Sequence, residues 1–151
     1  MARTYVKYKN RSGFWISEPY LQLAYNYIYA ELVKPQYNLE CKVDLLSFIK
    51  FQIDGFALDM MSLGWNSYFV NETEIQVMIG ILQQVNIDLF AKGTYIATQE
   101  LRLIQSKDEY FKNFYYYKHF PVTELIKIID AIIQLLENTW ETINYNMEII
   151  Y

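Results

Sequence analysis

The segment from Asn71 to Gly93 has the pattern of a long amphipathic helix, and it constrains the fold more than any other part of the sequence. Asn71 is a favoured N-cap residue, and Glu74, three positions later, completes a pair of the capping-box type. Lys92 lies in the last turn, and Gly93 is placed to end the helix in a left-handed conformation. The residues of one face recur between them at spacings of three and four: Ile75, Met78, Ile79, Leu82, Val85, Asn86 and Leu89.

The first half of the chain predicts two more helices. One begins after Ser17, which is followed by an acidic residue and a proline, and ends near Val33 before a Lys-Pro pair. The second runs from Cys41 to about Ile53 with apolar residues on one face. Gly55 bends or ends it, and residues 56–61 either continue it or form a short third piece. The opening segment, residues 4–16, is predicted to be an irregular arm or a short strand.

The second half predicts a further set of helical segments. A short helix capped by Thr98 reaches residue 103 or 104, and residues 106–109 begin its continuation or another turn. An aromatic stretch follows and stops at Pro121. A final long helix runs from about Thr123 to Asn138, a residue suited to a C-terminal cap. The tail, residues 140–151, has spacings that fit either a strand or a helix, and we favour a strand or extended tail.

These patterns predict the fold class. The chain has 151 residues, 53% of them hydrophobic, with only 5 Gly and 3 Pro, so it has enough apolar surface for a single core. No repeat or linker divides it. We predict an all-α fold: residues 1–151 form one irregular bundle of about five to seven helices, with short strands or extended segments at the termini.

Few residues of this chain are suited to catalysis or to metal binding. It has one histidine, His119, and one cysteine, Cys41, whose neighbour Lys42 would lower the thiol pKa. There is no spacing typical of a zinc, calcium or di-iron site, and the glycines are isolated, unlike those of a phosphate-binding loop. We therefore predict no catalytic residue, no metal and no cofactor. An enzyme with an unrecognised carboxylate site or a site at His119 remains the least favoured alternative.

Charge and targeting signals bear on the partner and the compartment. The formal net charge is −4, which disfavours nucleic acid as a partner. Only the basic, aromatic arm from Arg3 to Trp15 has the composition to contact phosphates. No apolar run has the length of a signal peptide or a membrane span, and the lone cysteine suits a reducing compartment. We expect a cytoplasmic protein that binds neither nucleic acid nor membrane.

The 15 tyrosines are more than a core of this size is expected to enclose, so some should lie at a surface that binds another protein. Acidic groups beside exposed tyrosines would suit a basic partner. The alternative is that the same rings belong to the core. The predicted partner-binding residues are Asp108, Glu109, Tyr110, Tyr115, Tyr116 and Tyr117.

The order of segments between Asn71 and Asn138 carries a resemblance to a known class of proteins. A long helix ends at Gly93 and is followed by Thr98-Gln99-Glu100-Leu101, the aromatic stretch 110–120, Pro121-Val122-Thr123-Glu124-Leu125-Ile126-Lys127-Ile128-Ile129 and Leu135-Leu136-Glu137. This order resembles small bacterial immunity proteins of polymorphic toxin systems, especially those of contact-dependent growth inhibition.

The resemblance implies a cytoplasmic protein without enzymatic activity that binds one cognate toxin domain, often a nuclease, and blocks its active site or substrate access. The resemblance does not identify binding residues in this chain, because each such protein binds its toxin through a surface of its own. An interaction or scaffold protein of a virus or mobile element is the main alternative. The oligomeric state is left open by the sequence.

Overall fold

The computed structural model describes residues 2–151. Within this range the chain is mostly helical, as predicted, with six helices and a few short strands, but it includes small sheets, so the fold is not purely all-α. In chain order the elements are β1 (Arg3–Val6), β2 (Phe14–Ser17), α1 (Glu18–Leu32), α2 (Lys42–Ile53), α3 (Glu72–Ala91), β3 (Tyr95–Ile96), α4 (Thr98–Leu101), α5 (Glu109–Phe114), β4 (Phe120–Pro121), α6 (Val122–Glu137) and β5 (Tyr145–Asn146).

Helix α3 has the caps that its sequence predicts. The Asn71 side chain accepts a hydrogen bond from the backbone N–H of Glu74 at 3.0 Å, and Gly93 adopts φ +94° just beyond the helix. The Glu74 carboxylate does not return to Asn71. It accepts instead from the backbone N–H groups of Val70, at 3.2 Å, and Glu40, at 2.9 Å, and so ties the start of α3 to the segment before α2.

Helix α1 is the central helix of the core. It packs against α2, α3 and α6, and α3 packs along α6. Its buried residues occupy most of its circumference, so only a narrow strip of α1 faces solvent. Helix α6 ends as predicted at Asn138, which adopts the left-handed conformation with φ 61°.

The terminal segments form a small sheet. Strands β1 and β2 pair antiparallel, and β5 adds to β2 in parallel, with Phe14 opposite Tyr145. The predicted strand in the arm and the extended tail are therefore confirmed. Gly13 is required at the start of β2, because a Cβ there would lie 1.8 Å from the Val6 carbonyl oxygen. A second small sheet pairs β3 with β4.

The segment between α2 and α3 departs from one prediction. Gly55 ends α2 with φ +83°, and residues 56–61 form turns rather than a continued helix or a third helical piece. This segment nevertheless contributes to the core, because the Trp65 ring is fully buried. The turn also presents three apolar side chains to solvent, those of Phe56, Leu58 and Met60.

Candidate functional site

The structure divides the six predicted partner-binding residues between the interior and the surface. Asp108 and Tyr115 are buried. The other four, Glu109, Tyr110, Tyr116 and Tyr117, are exposed. Only these four side chains are accessible to a partner in this structure, so the predicted surface is smaller than the sequence suggested.

Asp108 joins three parts of the fold and is not available for binding. Its Oδ1 accepts from the backbone N–H of Phe111 at 3.2 Å and caps α5, and its Oδ2 accepts from Gln22 Nε2 at 2.9 Å. The side chain also packs on Gly55, where an added Cβ would lie 2.8 Å from it. Asp108 therefore holds the start of α5 against α1 and the end of α2.

Tyr115 belongs to the core, as the alternative interpretation of the aromatic stretch proposed. Its hydroxyl donates to the Pro19 carbonyl oxygen at 2.8 Å, and burial raises its pKa well above the ordinary value. Its ring contacts those of Phe111 and Tyr151. Phe111 and Tyr115 are four residues apart, which places both on the inner side of the chain.

Tyr116 and Tyr117 lie beside a basic residue rather than an acidic one. The Arg102 guanidinium lies 4.3 Å from the centre of the Tyr116 ring, and its Nε donates to the Tyr116 carbonyl oxygen at 2.8 Å. The Tyr117 side chain is 83% exposed and contacts Tyr116 edge-on. This pair does not have the acidic surroundings predicted for the binding surface.

Tyr110 borders a cavity of about 330 Å³ at the beginning of α1. We call this cavity the Glu18 pocket. Tyr110 is 58% exposed at its edge, and Leu58 of the turn after α2 lies at the edge as well. The pocket is lined by Ala2, Glu18, Pro19, Gln22, Leu58, Asp59 and Tyr110. An acidic group and an exposed tyrosine meet in this pocket.

Glu18 is a buried carboxylate in this pocket, and its side chain is 2% exposed. Both carboxylate oxygens accept from one donor, the backbone N–H of Asp59, at 3.1 Å each. Asp59 presents that N–H from a left-handed conformation with φ 67°. The N-terminus of α1 adds a favourable dipole, but within residues 2–151 no Lys, Arg or His forms a salt bridge with Glu18.

Gln22, one helical turn after Glu18, supplies a second buried polar group to the pocket wall. Its Nε2 donates to Asp108 Oδ2 and to the carbonyl oxygens of Gln52 and Ile53. Its Oε1 is buried and has no hydrogen-bond partner within the described residues. A buried acceptor without a donor is costly, so a donor that reached this oxygen would be stabilising.

Of the seven lining residues, sequence reasoning assigned only Tyr110 to a binding surface, and the six it missed include Glu18, Gln22, Leu58 and Asp59. Glu18 was interpreted only as an acidic residue of the first helical turn. The overlooked signal is the spacing of four between Glu18 and Gln22, two polar residues among the apolar residues of a central helix. Leu58 and Asp59 follow no periodic pattern, because they lie in turns.

His119 and Cys41 are the two residues considered for catalysis, and contacts within the chain surround both of them. His119 is exposed, and its Nδ1 accepts from the backbone N–H of Thr98 at 3.0 Å, so it caps the short helix α4. Burial, together with the charge of Glu74, raises the pKa of the Cys41 thiol. The expectation that Lys42 would lower it is wrong, because the Lys42 ammonium donates to the carbonyl oxygens of Lys34 and Tyr37.

The basic arm is part of the fold. Arg11 donates to the Leu135 carbonyl oxygen at 2.8 Å, near the end of α6, and Arg3 donates to the carbonyl oxygen of Trp15. The guanidinium of Arg11 also lies over the Tyr8 ring. These two arginines are therefore occupied by contacts within the chain.

A larger groove of about 490 Å³ runs along the exposed strip of α1. Tyr27 and the exposed side chains of Val33 and Leu103 line it. The Tyr27 hydroxyl donates to Glu100, which also pairs with Lys92 at 2.9 Å. The charges beside this groove are thus paired with one another, unlike the carboxylate of the Glu18 pocket.

No group of three or more His, Cys, Asp or Glu residues within 2–151 is arranged to hold a metal ion. In the same range, no helix combines the length and the apolar character needed to cross a membrane. Comparisons with protein-family models, curated proteins and solved structures found no match to the chain.

Proposed function

We propose that this chain is a non-enzymatic binding protein, a bacterial immunity protein that binds and neutralises a cognate toxin domain in the cytoplasm. The binding surface is the Glu18 pocket with its edge residues Tyr110 and Leu58, extended by Met60 and Glu109. The observation that carries the proposal is the combination, in one place, of a buried carboxylate that has no cationic partner among residues 2–151 and exposed apolar and aromatic side chains.

The chemistry of this surface suits a protein partner. Exposed tyrosine and aliphatic side chains supply contact area that is stabilising when a partner excludes water from it. Met60 is 84% exposed, and a flexible thioether adapts well to a partner surface. A carboxylate at the centre favours a basic partner over an acidic one. The net charge of −4 acts in the same direction by attracting a basic toxin domain.

A binding role rather than catalysis is supported by the surroundings of the two reactive side chains. The His119 Nδ1 is engaged by the backbone of α4, and the raised pKa of Cys41 keeps that residue in its less nucleophilic thiol form. Neither residue lines the Glu18 pocket. A toxin domain with nuclease activity is the partner class that the family resemblance suggests.

A co-expression experiment tests the proposal. The product of the gene next to this one is expressed in a bacterial host with and without this chain, and growth and co-purification are recorded. We expect the neighbouring product to be toxic alone, and we expect this chain to restore growth and to elute with it in a one-to-one complex. Toxicity that persists, with no complex, would refute the immunity function.

A further inference from the structure

We infer that the Glu18 pocket receives an arginine side chain of the partner protein. This inference rests on the proposed function and specifies which group of the partner occupies the centre of the surface. It starts from an imbalance in the pocket: a carboxylate and an amide oxygen are buried there, and within the described residues they have only one hydrogen-bond donor between them, the backbone N–H of Asp59.

A positively charged donor would correct this imbalance. A buried carboxylate is stabilised when a cation and additional N–H groups surround it, and the cost of an uncompensated one is high. Among the described residues, the one N–H shared by both Glu18 oxygens leaves lone pairs on each of them without a donor. The Gln22 Oε1, for which residues 2–151 supply no donor either, belongs to a residue of the same pocket wall.

Arginine fits these acceptors better than lysine does. The guanidinium carries five N–H donors in a planar fork, so one side chain can reach a carboxylate and a neighbouring amide oxygen together. It is also more weakly hydrated than an ammonium group and therefore loses less on entering a pocket. Pro19, Leu58 and Tyr110 line the pocket with apolar and aromatic surface, which suits the methylene stem and the flat face of the guanidinium.

The position of the pocket also suits insertion from a partner. Exposed Leu58 and Tyr110 lie at its edge, where a partner surface would cover them and exclude water from the ion pair. When the partner covers this edge, the interaction between the carboxylate and the arginine becomes stronger, because the local dielectric constant falls.

The test uses the complete protein and no toxin. The ¹⁵N-labelled chain is titrated with N-acetyl-arginine N-methylamide while the backbone amide signal of Asp59, the donor to Glu18, is followed by NMR. The matched probe is N-acetyl-citrulline N-methylamide, which has nearly the same shape without the charge. We expect a saturable shift with the arginine probe, and binding at least about tenfold weaker with the citrulline probe.

The variant Glu18→Gln keeps an acceptor for the Asp59 N–H but removes the charge, and we expect it to abolish the saturable shift. A well-dispersed spectrum of the variant verifies its fold, and if the variant does not fold, the comparison of the two probes on the unaltered protein decides. No saturable shift, or an equal shift with citrulline, would overturn the inference. An equal affinity for the corresponding lysine probe would overturn the choice of arginine. Because no partner is present, failure here leaves the co-expression result unaffected.

Discussion

Asp108 and Glu109 are adjacent acidic residues with opposite surroundings. Asp108 is buried, caps α5 and accepts from Gln22, whereas the Glu109 carboxylate is exposed and reaches only Lys112 on the surface, at 3.4 Å. From the sequence, both residues were assigned to one binding surface. The carboxylate at the N-cap position is a structural group, whereas the carboxylate one residue later, in the first helical turn, is accessible to a partner.

We predict that Asp108→Ala lowers the free energy of unfolding by about 2 kcal/mol, because α5 loses its cap and the Gln22 amide loses its charged acceptor. Glu109→Ala should change it by less than about 0.5 kcal/mol, since a surface ion pair contributes little. Urea unfolding of the two variants measures both values. Equal effects would contradict the role assigned to Asp108.

In the aromatic stretch, residue spacing predicts which rings share a face, but tertiary contacts decide where that face points. A spacing of four between Phe111 and Tyr115 predicts that both rings share one face, and both are buried. The direction of that face is set by contacts with Pro19 and Tyr151, which are distant in sequence. Local spacing therefore pairs Phe111 with Tyr115, but it does not tell which side of the chain faces solvent, and the assignment of Tyr115 to an exposed surface was wrong.

Among the helices, α3 and α6 are joined by a polar pair at the surface end of their interface. The Asn86 Nδ2 donates to Asp130 Oδ1 at 2.7 Å, while the Asn86 Oδ1 is buried and finds no donor in the part of the chain that the structure describes. Burial raises the pKa of the Asp130 carboxyl, and the hydrogen bond from Asn86 lowers it by a smaller amount. The ionised form of Asp130 is thus disfavoured in the folded protein relative to the unfolded chain.

We predict that Asp130→Asn stabilises the protein at neutral pH by up to about 0.5 kcal/mol, a small value because the side chain is partly exposed. The new amide carries no charge and offers a donor to Asn86 Oδ1. As the pH falls through the aspartate range, the unmodified protein takes up a proton more readily when folded than when unfolded, so it gains stability and the advantage of the variant should shrink.

The free energy of unfolding of both proteins, measured at neutral and at acidic pH, tests whether the advantage of the variant shrinks as predicted. Asp88→Asn is the matched control, because Asp88 accepts from Gln84 on the same helix and does not bridge α3 and α6. An advantage of Asp130→Asn that grows toward low pH would contradict the raised pKa.

Substitution by alanine should have opposite effects at two glycines, one inside a helix and one at a helix end. Gly80 lies inside α3, and a Cβ added there would meet no atom within 4 Å. We predict that Gly80→Ala raises the free energy of unfolding by about 0.5–1 kcal/mol, because alanine loses less backbone entropy on forming a helix. Gly55→Ala should instead destabilise by more than about 1 kcal/mol, since φ is +83° and Asp108 is in the way. Thermal and urea unfolding of both variants provide the check.

Capping residues explain why the long helices were predictable. Asn71, Gly93 and Asn138 act within a few residues of the helix they bound, so their effect is visible in the sequence. The pairing of β2 with β5 is different, because Phe14 and Tyr145 are brought together only by the folded core. The turns at residues 56–61 likewise follow from Gly55 and from contacts with α1 rather than from periodicity.

At the scale of the whole molecule, the Glu18 pocket is assembled from four segments of the chain, one of which is Ala2 near the N-terminus. Glu18 begins α1, Leu58 and Asp59 lie in the turns after α2, and Tyr110 is in α5. Only Tyr110 was predicted from the sequence, because an exposed tyrosine beside acidic residues is a local signal. The buried carboxylate at the centre could not be predicted, since whether a cation of residues 2–151 pairs with it depends on the complete set of tertiary contacts.

The most direct test of the binding surface is the affinity of site variants for the toxin domain, measured by calorimetry. We predict that Tyr110→Ala weakens binding at least about tenfold, because it removes an aromatic anchor at the edge of the pocket. Tyr145→Ala, which removes a partly exposed tyrosine beside a different cavity next to α6, should bind like the unmodified protein. Equal affinity of the unmodified protein and both variants for the toxin domain would contradict the assignment of this surface.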